Sequence, residues 1–295
     1  MSSQLPEPPR LQLDEFQQLR QFVNEHSGIM LASESRLTVE RKLSERVLAL
    51  GLLGFKEYCT YLRTHPQRKP EIERAVDLVT TNETYFFREI SQLRAFENEV
   101  LPQLHETARS RRRLTIWSAG CSTGEEVYTL AILVRKSPLF AGWDLRIIGN
   151  DISRRVLQVA RAAVYRESSF RAMPDEYAQY FVQTPSGRTV RQGIRDICQF
   201  GHFNLLDEAK VAMVGRVDAI FCRNVLIYFD QASRRRVIQA FYDRLEPHGY
   251  LMLGHSESLL HTSTAFELAQ LRGDLAYRKP LRPTSIGPGP GRSRS

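Results

Sequence analysis

The sequence predicts an α/β fold: a doubly wound, seven-stranded sheet with a small antiparallel β excursion, preceded by an all-α N-terminal unit. Three observations predict it. First, a short apolar run at 114–117 meets a small-residue turn, Ser118-Ala-Gly-Cys-Ser-Thr-Gly124. The turn opens an amphipathic helix, and a second apolar run, Ile147-Ile-Gly-Asn-Asp151, ends on an acid. This is a βαβ unit, and such sheets bind ligands beyond the carboxyl ends of their strands. Second, residues 217–222 form a continuous apolar run, as a buried parallel strand should. Third, the first eighty residues repeat apolar side chains at helical spacing and carry no strand signal.

Residues 1–10 are polar and Pro-rich and are expected to be disordered. Helices follow at 11–26, with Leu13, Phe16, Leu19, Phe22 and Val23 in helical register, and at 33–50, with Val39, Leu43, Val47 and Leu50. Two more are expected at 55–62 and at 69–79, the last entered through Pro70. Residues 11–80 thus form a helical domain. Residues 81–91 join it to the rest, and three consecutive aromatics followed by Arg88 suggest a segment packed across a site rather than a swinging linker. A helix at 92–108 ends in the basic run 109–113. Strand one (114–117), a helix (125–136), strand two (144–149), a helix capped by Ser153 (153–163) and a further helix (173–181) come next. Short runs broken by Pro185-Ser-Gly187 and Gly193 read as a hairpin-like excursion, about 182–200, ending in strand three (198–203). Strand four is 217–222. A helix at 231–245 stops at Pro247-His-Gly249, strand five is 250–253, and 266–269 with 275–278 close the sheet as a pair. The α/β domain spans 92–280, and a Pro-, Gly-, Ser- and Arg-rich tail, 281–295, is expected to be disordered.

A chain of 295 residues with 42% hydrophobic content allows one large or two modest domains. No apolar run approaches the roughly 18 residues of a membrane span, and residues 1–10 do not read as a signal peptide. Cys59, Cys121, Cys198 and Cys222 stand far apart with no C-x-x-C pair, which argues against a disulfide framework and a zinc site. A cytoplasmic protein without a metal is expected. The net charge of +8 permits an acidic partner. The basic clusters at 109–113, 234–236 and 282–294 lack the interleaved aromatics of a base-stacking surface, so nucleic acid is not the expected partner. The second helix carries Arg36, Arg41, Lys42 and Arg46, of which Lys42 and Arg46 share a face. It is either a solvated face with ion pairs or a docking face for an acidic helical partner.

The turn Gly120-x-x-x-Gly124 matches neither the dinucleotide fingerprint nor a phosphate loop. It carries no lysine and leads into Glu125 and Glu126. That suits a cationic, phosphate-free, nucleoside-like ligand, of which S-adenosylmethionine is one. Asp151, ending strand two, can accept hydrogen bonds from both ribose hydroxyls.

Five motifs then stand in order: Thr81-Asn-Glu-Thr-Tyr-Phe-Phe-Arg-Glu89, Trp117-Ser-Ala-Gly-Cys-Ser-Thr-Gly-Glu-Glu126, Asn150-Asp-Ile152, Phe221-Cys-Arg-Asn-Val-Leu-Ile-Tyr-Phe229 and Gly254-His-Ser-Glu-Ser258. Together they resemble the CheR-type chemotaxis receptor methyltransferases, from the first helix to about Lys279. The resemblance implies a Rossmann-like methyltransferase sheet. It implies S-adenosyl-L-methionine as cofactor, S-adenosyl-L-homocysteine as product, and transfer of the methyl group to glutamates on the cytoplasmic helices of a methyl-accepting chemoreceptor. It implies that Asn82, Thr84 and Arg88 lie over the methionine end, that Glu126, or its neighbour Glu125, binds the ammonium, and that Asp151 takes the ribose. Asn204 and Leu205 would flank the adenine, and Arg223 and Asn224 would complete the pocket. The acceptor carboxylate is already ionised at neutral pH, so catalysis is expected to be positioning and water exclusion rather than general-base chemistry. Arg88 and Tyr228 are the candidates for aiming it, with Arg223 a third. His255 and Glu257 read as structural.

The resemblance also favours the docking role for Arg36, Arg41, Lys42 and Arg46. One departure stands out. The turn Gln183-Thr-Pro-Ser-Gly-Arg188 lacks the Gly-x-Gly with which some members bind a receptor's pentapeptide tether, so a pentapeptide-independent member is expected. A nucleic-acid methylase of the same build often carries Asn/Asp-Pro-Pro-Tyr/Phe after strand four, where this chain has Arg223-Asn-Val-Leu. A catalytically silent cofactor-binding regulator would not need Asn82, Arg88, Asp151 and Tyr228 intact.

Overall fold

The computed structural model describes residues 8–260 and 262–281. The disorder expected for 1–10 and 281–295 falls, at 1–7 and 282–295, outside the described residues. Pro9 is buried, and its carbonyl accepts from Ser44 Oγ at 3.5 Å. Helices α1 (Leu13–Ser27), α2 (Arg36–Ala49), α3 (Phe55–Thr64) and α4 (Arg68–Val79) pack around Phe16, Leu43, Val47, Phe55, Tyr58 and Val76. Gly28 ends α1 at φ 74°, where a Cβ would stand 2.7 Å from Leu206 Cδ1 and 2.8 Å from Ser233 Oγ. Only glycine lets the chain lie this close to the second unit. Ile29 then forms an antiparallel bridge with Phe229, and Met30 N donates to the Tyr228 carbonyl at 2.7 Å. The helical unit is therefore stitched to the α/β unit by backbone.

The second unit begins with α5 (Ile90–Ala95), which runs through a π turn, Phe96–Val100, into α6 (Leu101–Ala108). An unbroken helix was expected here. Pro102 supplies no N–H to the ladder, and the π turn just before it absorbs the missing bond. There follow β1 (Arg113–Ala119), α7 (Glu125–Lys136), β2 (Asp144–Asp151), α8 (Arg154–Ala162), β3 (Val164–Tyr165), β4 (Phe181–Thr184), β5 (Gly187–Val190), α9 (Gln192–Arg195) and β6 (Cys198–His202). The chain closes with α10 (Glu208–Met213), β7 (Val217–Cys222), α11 (Gln231–Arg244), β8 (Leu245–Leu253), β9 (Glu267–Leu271) and β10 (Asp274–Arg278). Ser153 caps α8, its Oγ accepting from Val156 N at 3.3 Å.

The main sheet has seven strands in the order β6-β2-β1-β7-β8-β10-β9, and β10 alone runs against the rest, pairing antiparallel with β8 on one side and β9 on the other. The excursion is a separate three-stranded antiparallel sheet, β3-β5-β4. Alternate residues of the central strands face two cores. Ile116, Phe221 and Met252 pack with Phe96 and Leu130, while Trp117, Ile220 and Leu251 pack with Val237 and Phe241 of α11. Burial on both faces is why these strands read as continuous apolar runs. Chain order reverses between β1 and β7, which makes their carboxyl ends the switch-point crevice.

Two further expectations are corrected. The helix at 173–181 is a 3-10 segment, Asp175–Tyr180. Only six residues separate Pro174 from β4, and Tyr177 must stack on Phe87, with ring centroids 4.1 Å apart. The last parallel strand begins at Leu245 rather than 250. Its register against β7 shifts between Val217 and Ala219, so the Pro247-containing stretch is carried as an irregularity inside the strand.

Candidate active site

At the switch point lies a cleft of about 400 Å³, lined by both units. Its floor is the turn after β1. Gly120 N and Cys121 N donate to the Asn150 carbonyl at 2.9 and 2.8 Å, binding the turn to the end of β2. Gly120 sits at φ 78°, and a Cβ there would stand 2.6 Å from Val225 Cγ2 of the loop after β7. Asp151 Oδ2 accepts from Ser122 N and Oδ1 from Ser153 N, both at 2.9 Å. Burial holds the Asp151 carboxyl above the ordinary aspartate range, against the pull of these N–H groups. Each oxygen keeps a second lone pair for a ligand.

The two neighbouring glutamates diverge. Glu126 lines the cleft, where Oε1 accepts from Ser118 Oγ at 2.7 Å and Oε2 from Arg223 Nε at 2.6 Å. Glu125 faces inward and accepts from Thr123 Oγ1 at 2.6 Å and Ser169 Oγ at 2.9 Å. Burial raises its carboxyl above the usual glutamate range. Arg223 is buried and also donates to the Arg88 carbonyl at 3.0 Å and Gln92 Oε1 at 3.3 Å, with Glu89 Oε2 at 3.6 Å. Its guanidinium is thus spent on contacts within the protein.

The joint between the units forms another wall. Phe86 stacks on Phe170 at 5.0 Å, and Phe86 N donates to the Ser169 carbonyl at 2.9 Å. These aromatics anchor the segment so that Asn82, Thr84 and Arg88 line the cleft. Arg88 is partly exposed and donates to the Glu83 carbonyl at 3.0 Å. After β7, Asn224 Nδ2 donates to Glu89 Oε1 at 3.0 Å.

The structure brings Asn82, Thr84, Arg88, Glu126, Asp151, Asn204, Leu205, Arg223, Asn224 and Tyr228 together around this one cleft. Asn204 spends its amide locally: Nδ2 donates to the His26 carbonyl and Oδ1 accepts from Leu206 N, each at 2.9 Å. Of the four cationic residues on α2, Lys42 alone lines the cleft. Its ammonium donates to the carbonyls of Val79 and Thr80 at 3.2 and 3.0 Å, at the end of α4. Arg46 pairs with buried Glu71, Arg36 donates to the Leu11 carbonyl, and Arg41 is exposed with no hydrogen bond or ion pair among the described residues.

Some residues of the site gave no usable signal in the sequence. Gln92 is one polar position on an amphipathic helix, yet it is buried and bridges Arg223 to the Leu253 carbonyl. Met30 and Ala32 reach the cleft from the helical unit. Glu257 stood within a recognised motif but showed no partner there.

Two family models match the chain. One described as the CheR methyltransferase SAM binding domain covers residues 82–274, and one described as the CheR methyltransferase all-alpha domain covers residues 14–80. The chain is 36% identical over 269 residues to chemotaxis protein methyltransferase 2 of Vibrio cholerae serotype O1, spanning 90% of this chain and 93% of that one. It is 33% identical over 268 residues to the chemotaxis protein methyltransferase of Escherichia coli K12, spanning 89% of each. With chemotaxis protein methyltransferase 2 of Pseudomonas aeruginosa it shares 36% identity over 259 residues, 85% of this chain and 88% of that one. Among the described residues, no helix is long and apolar enough to cross a membrane.

Proposed function

The chain belongs to the CheR methyltransferase family and is an S-adenosylmethionine-dependent methyltransferase, and on that premise we propose that it esterifies glutamate side chains on the cytoplasmic helices of a chemoreceptor. The observation that carries the reading is the charge layout of the cleft. Glu126 lines it after β1, Asp151 lines it after β2, and Arg88 and Tyr228 line it from the joint and from the loop after β7. These groups fit the cofactor: the Glu126 carboxylate to accept from the ammonium, the Asp151 carboxylate to accept from the ribose hydroxyls, and Leu205 with Phe203 and Ile152 as apolar neighbours for the adenine. Asn82 and Thr84 would cover the methionine end.

When bound, S-adenosylmethionine supplies a methyl group whose bond to sulfur breaks, the electron pair returning to sulfur, as a glutamate oxygen forms the new ester bond. The chain's own residues hold and aim. Arg88 and the Tyr228 phenol orient one oxygen of a carboxylate that is already ionised at neutral pH. The joint excludes water, and no proton need move. Arg223 keeps Glu126 oriented.

The reading puts the reaction in the cytoplasm and recognition of the acceptor on α2, with Arg41 the most accessible of its cations. The β4–β5 hairpin closes through Pro185 and Ser186 alone, which supports methylation without a pentapeptide tether. Incubation with radiolabelled cofactor and receptor cytoplasmic fragments, followed by alkali, tests the proposal. Glutamyl esters release labelled methanol in base, and label that survives alkali would overturn it. Equal labelling of receptor fragments with and without their last five residues is expected.

A further inference from the structure

We propose that Glu257 is a positioning residue for methyl transfer, acting through the loop after β7; the inference rests on the reading that Tyr228 stands at the acceptor. The Glu257 carboxylate follows β8 and accepts from a run of consecutive backbone N–H groups. These are Asn224 at 2.7 Å, Val225 at 2.9 Å, Leu226 at 2.7 Å and Ile227 at 3.3 Å. A fifth bond comes from Gly254 N at 2.8 Å.

A loop cannot satisfy such a run by itself. Asn224 is at φ 58°, and the only regular structure here is the 3-10 turn Leu226–Tyr228. Successive N–H groups in such a path form a concave nest that calls for an anion, and Glu257 supplies one from within the chain. The fit is close on both sides, since a Cβ on Gly254 would stand 2.9 Å from Asn224 N and 2.9 Å from Glu257 Oε2.

The same loop carries contacts at each end that reach the site. Asn224 Nδ2 holds Glu89, the neighbour of Arg88, and the Tyr228 carbonyl accepts from Met30 N. One carboxylate therefore sets the path that presents Tyr228 and spaces it from the joint bearing Arg88. Glutamine would keep the shape but turn an N–H₂ toward backbone donors, so the nest could not close around it.

The test uses the full chain with Glu257→Gln. Expected are a fall in kcat of about 10²-fold, the scale of an ångström-sized misplacement, with the KM for cofactor changed less than about threefold. Amide deuterium exchange should quicken at 224–227 while that of β1 and α11 stays as it was. If the variant does not fold, Glu257→Asp, which keeps the charge but shortens the reach, is read the same way. A kcat within about twofold of the parent, or amides that remain protected, would overturn the inference. Tyr228→Phe measured alongside separates the two readings. Full activity there with slow Glu257→Gln overturns the role of Tyr228 and leaves Glu257 acting through Asn224. Slow Tyr228→Phe with full-rate Glu257→Gln overturns Glu257 alone.

Discussion

Arg223 Nε lies 2.6 Å from Glu126 Oε2, and this pair joins the loop after β7 to the first turn of α7 at the switch-point cleft. The guanidinium is buried and is flanked by a second carboxylate, Glu89. Removing one member of such a pair leaves charge without a counter-charge. Arg223→Met should therefore lower unfolding free energy by about 3–5 kcal/mol, read from urea denaturation. Saturating cofactor, itself a cation, should recover part of the loss through binding linkage. Arg223→Lys should not restore it, because an ammonium cannot span Glu126, Gln92 and the Arg88 carbonyl at once.

Glu125 and Glu126 are separable by substitution. With Glu126 proposed to hold the ligand's ammonium, Glu126→Gln should weaken cofactor binding by about 10- to 100-fold, measured calorimetrically. Glu125→Gln faces Thr123 and Ser169, hydroxyls that can reorient. Its affinity should stay within about threefold of the parent. The reverse pattern would exchange the two assignments.

Arg88→Ala should lower kcat by about 10²- to 10³-fold while the melting temperature barely moves, since the side chain is partly exposed and, among the described residues, donates to the Glu83 carbonyl and lies 4.0 Å from Glu89 Oε1. Unchanged turnover would remove Arg88 from the reaction centre.

Asp151 predicts opposite pH responses for binding and for stability. Burial raises its native carboxyl above the unfolded value, so protonation begins at a higher pH than for an exposed aspartate. Cofactor affinity should fall on acidification through that raised range. Because the native state binds this proton more tightly than the unfolded chain does, the group's contribution to stability is present at low pH and is lost as pH rises through the native pKa. In Asp151→Asn the acid limb of the affinity profile should disappear, and a limb that persists would assign it to another group.

The cations of α2 divide by what they touch. Arg46 pairs with Glu71, which is buried and also accepts from Tyr58 Oη at 2.9 Å. Arg46→Ala should cost about 3 kcal/mol of stability, with the KM for the receptor fragment unchanged in the folded fraction. Arg41→Ala should raise that KM, more at low salt than at high, without shifting the melting temperature.

Local pattern made much of this protein legible. The periodicity of the first eighty residues announced four helices. The run 114–151 announced its βαβ unit, because burial on one stripe or on both faces is written into neighbouring residues. The motif residues of the cleft were also readable: Asp151, Arg223 and Asn224 end or follow strands that the pattern locates, and Asn82, Thr84 and Arg88 stand in the aromatic-rich joint. What an individual polar side chain holds was not readable. Arg46 finds Glu71 25 residues away, Glu257 finds Asn224 33 away, and Arg223 finds Gln92 131 away. Nor was it visible that Gly28–Met30 of the helical unit would lie against the loop bearing Tyr228. The sequence by itself determined the fold class, most of the elements and the family. Only the tertiary structure decided which charges are spent on holding the cleft together and which stay open to a substrate. The reason is physical: apolar pattern is a property of adjacent residues, whereas the satisfaction of a charge or a backbone N–H depends on what folding brings beside it.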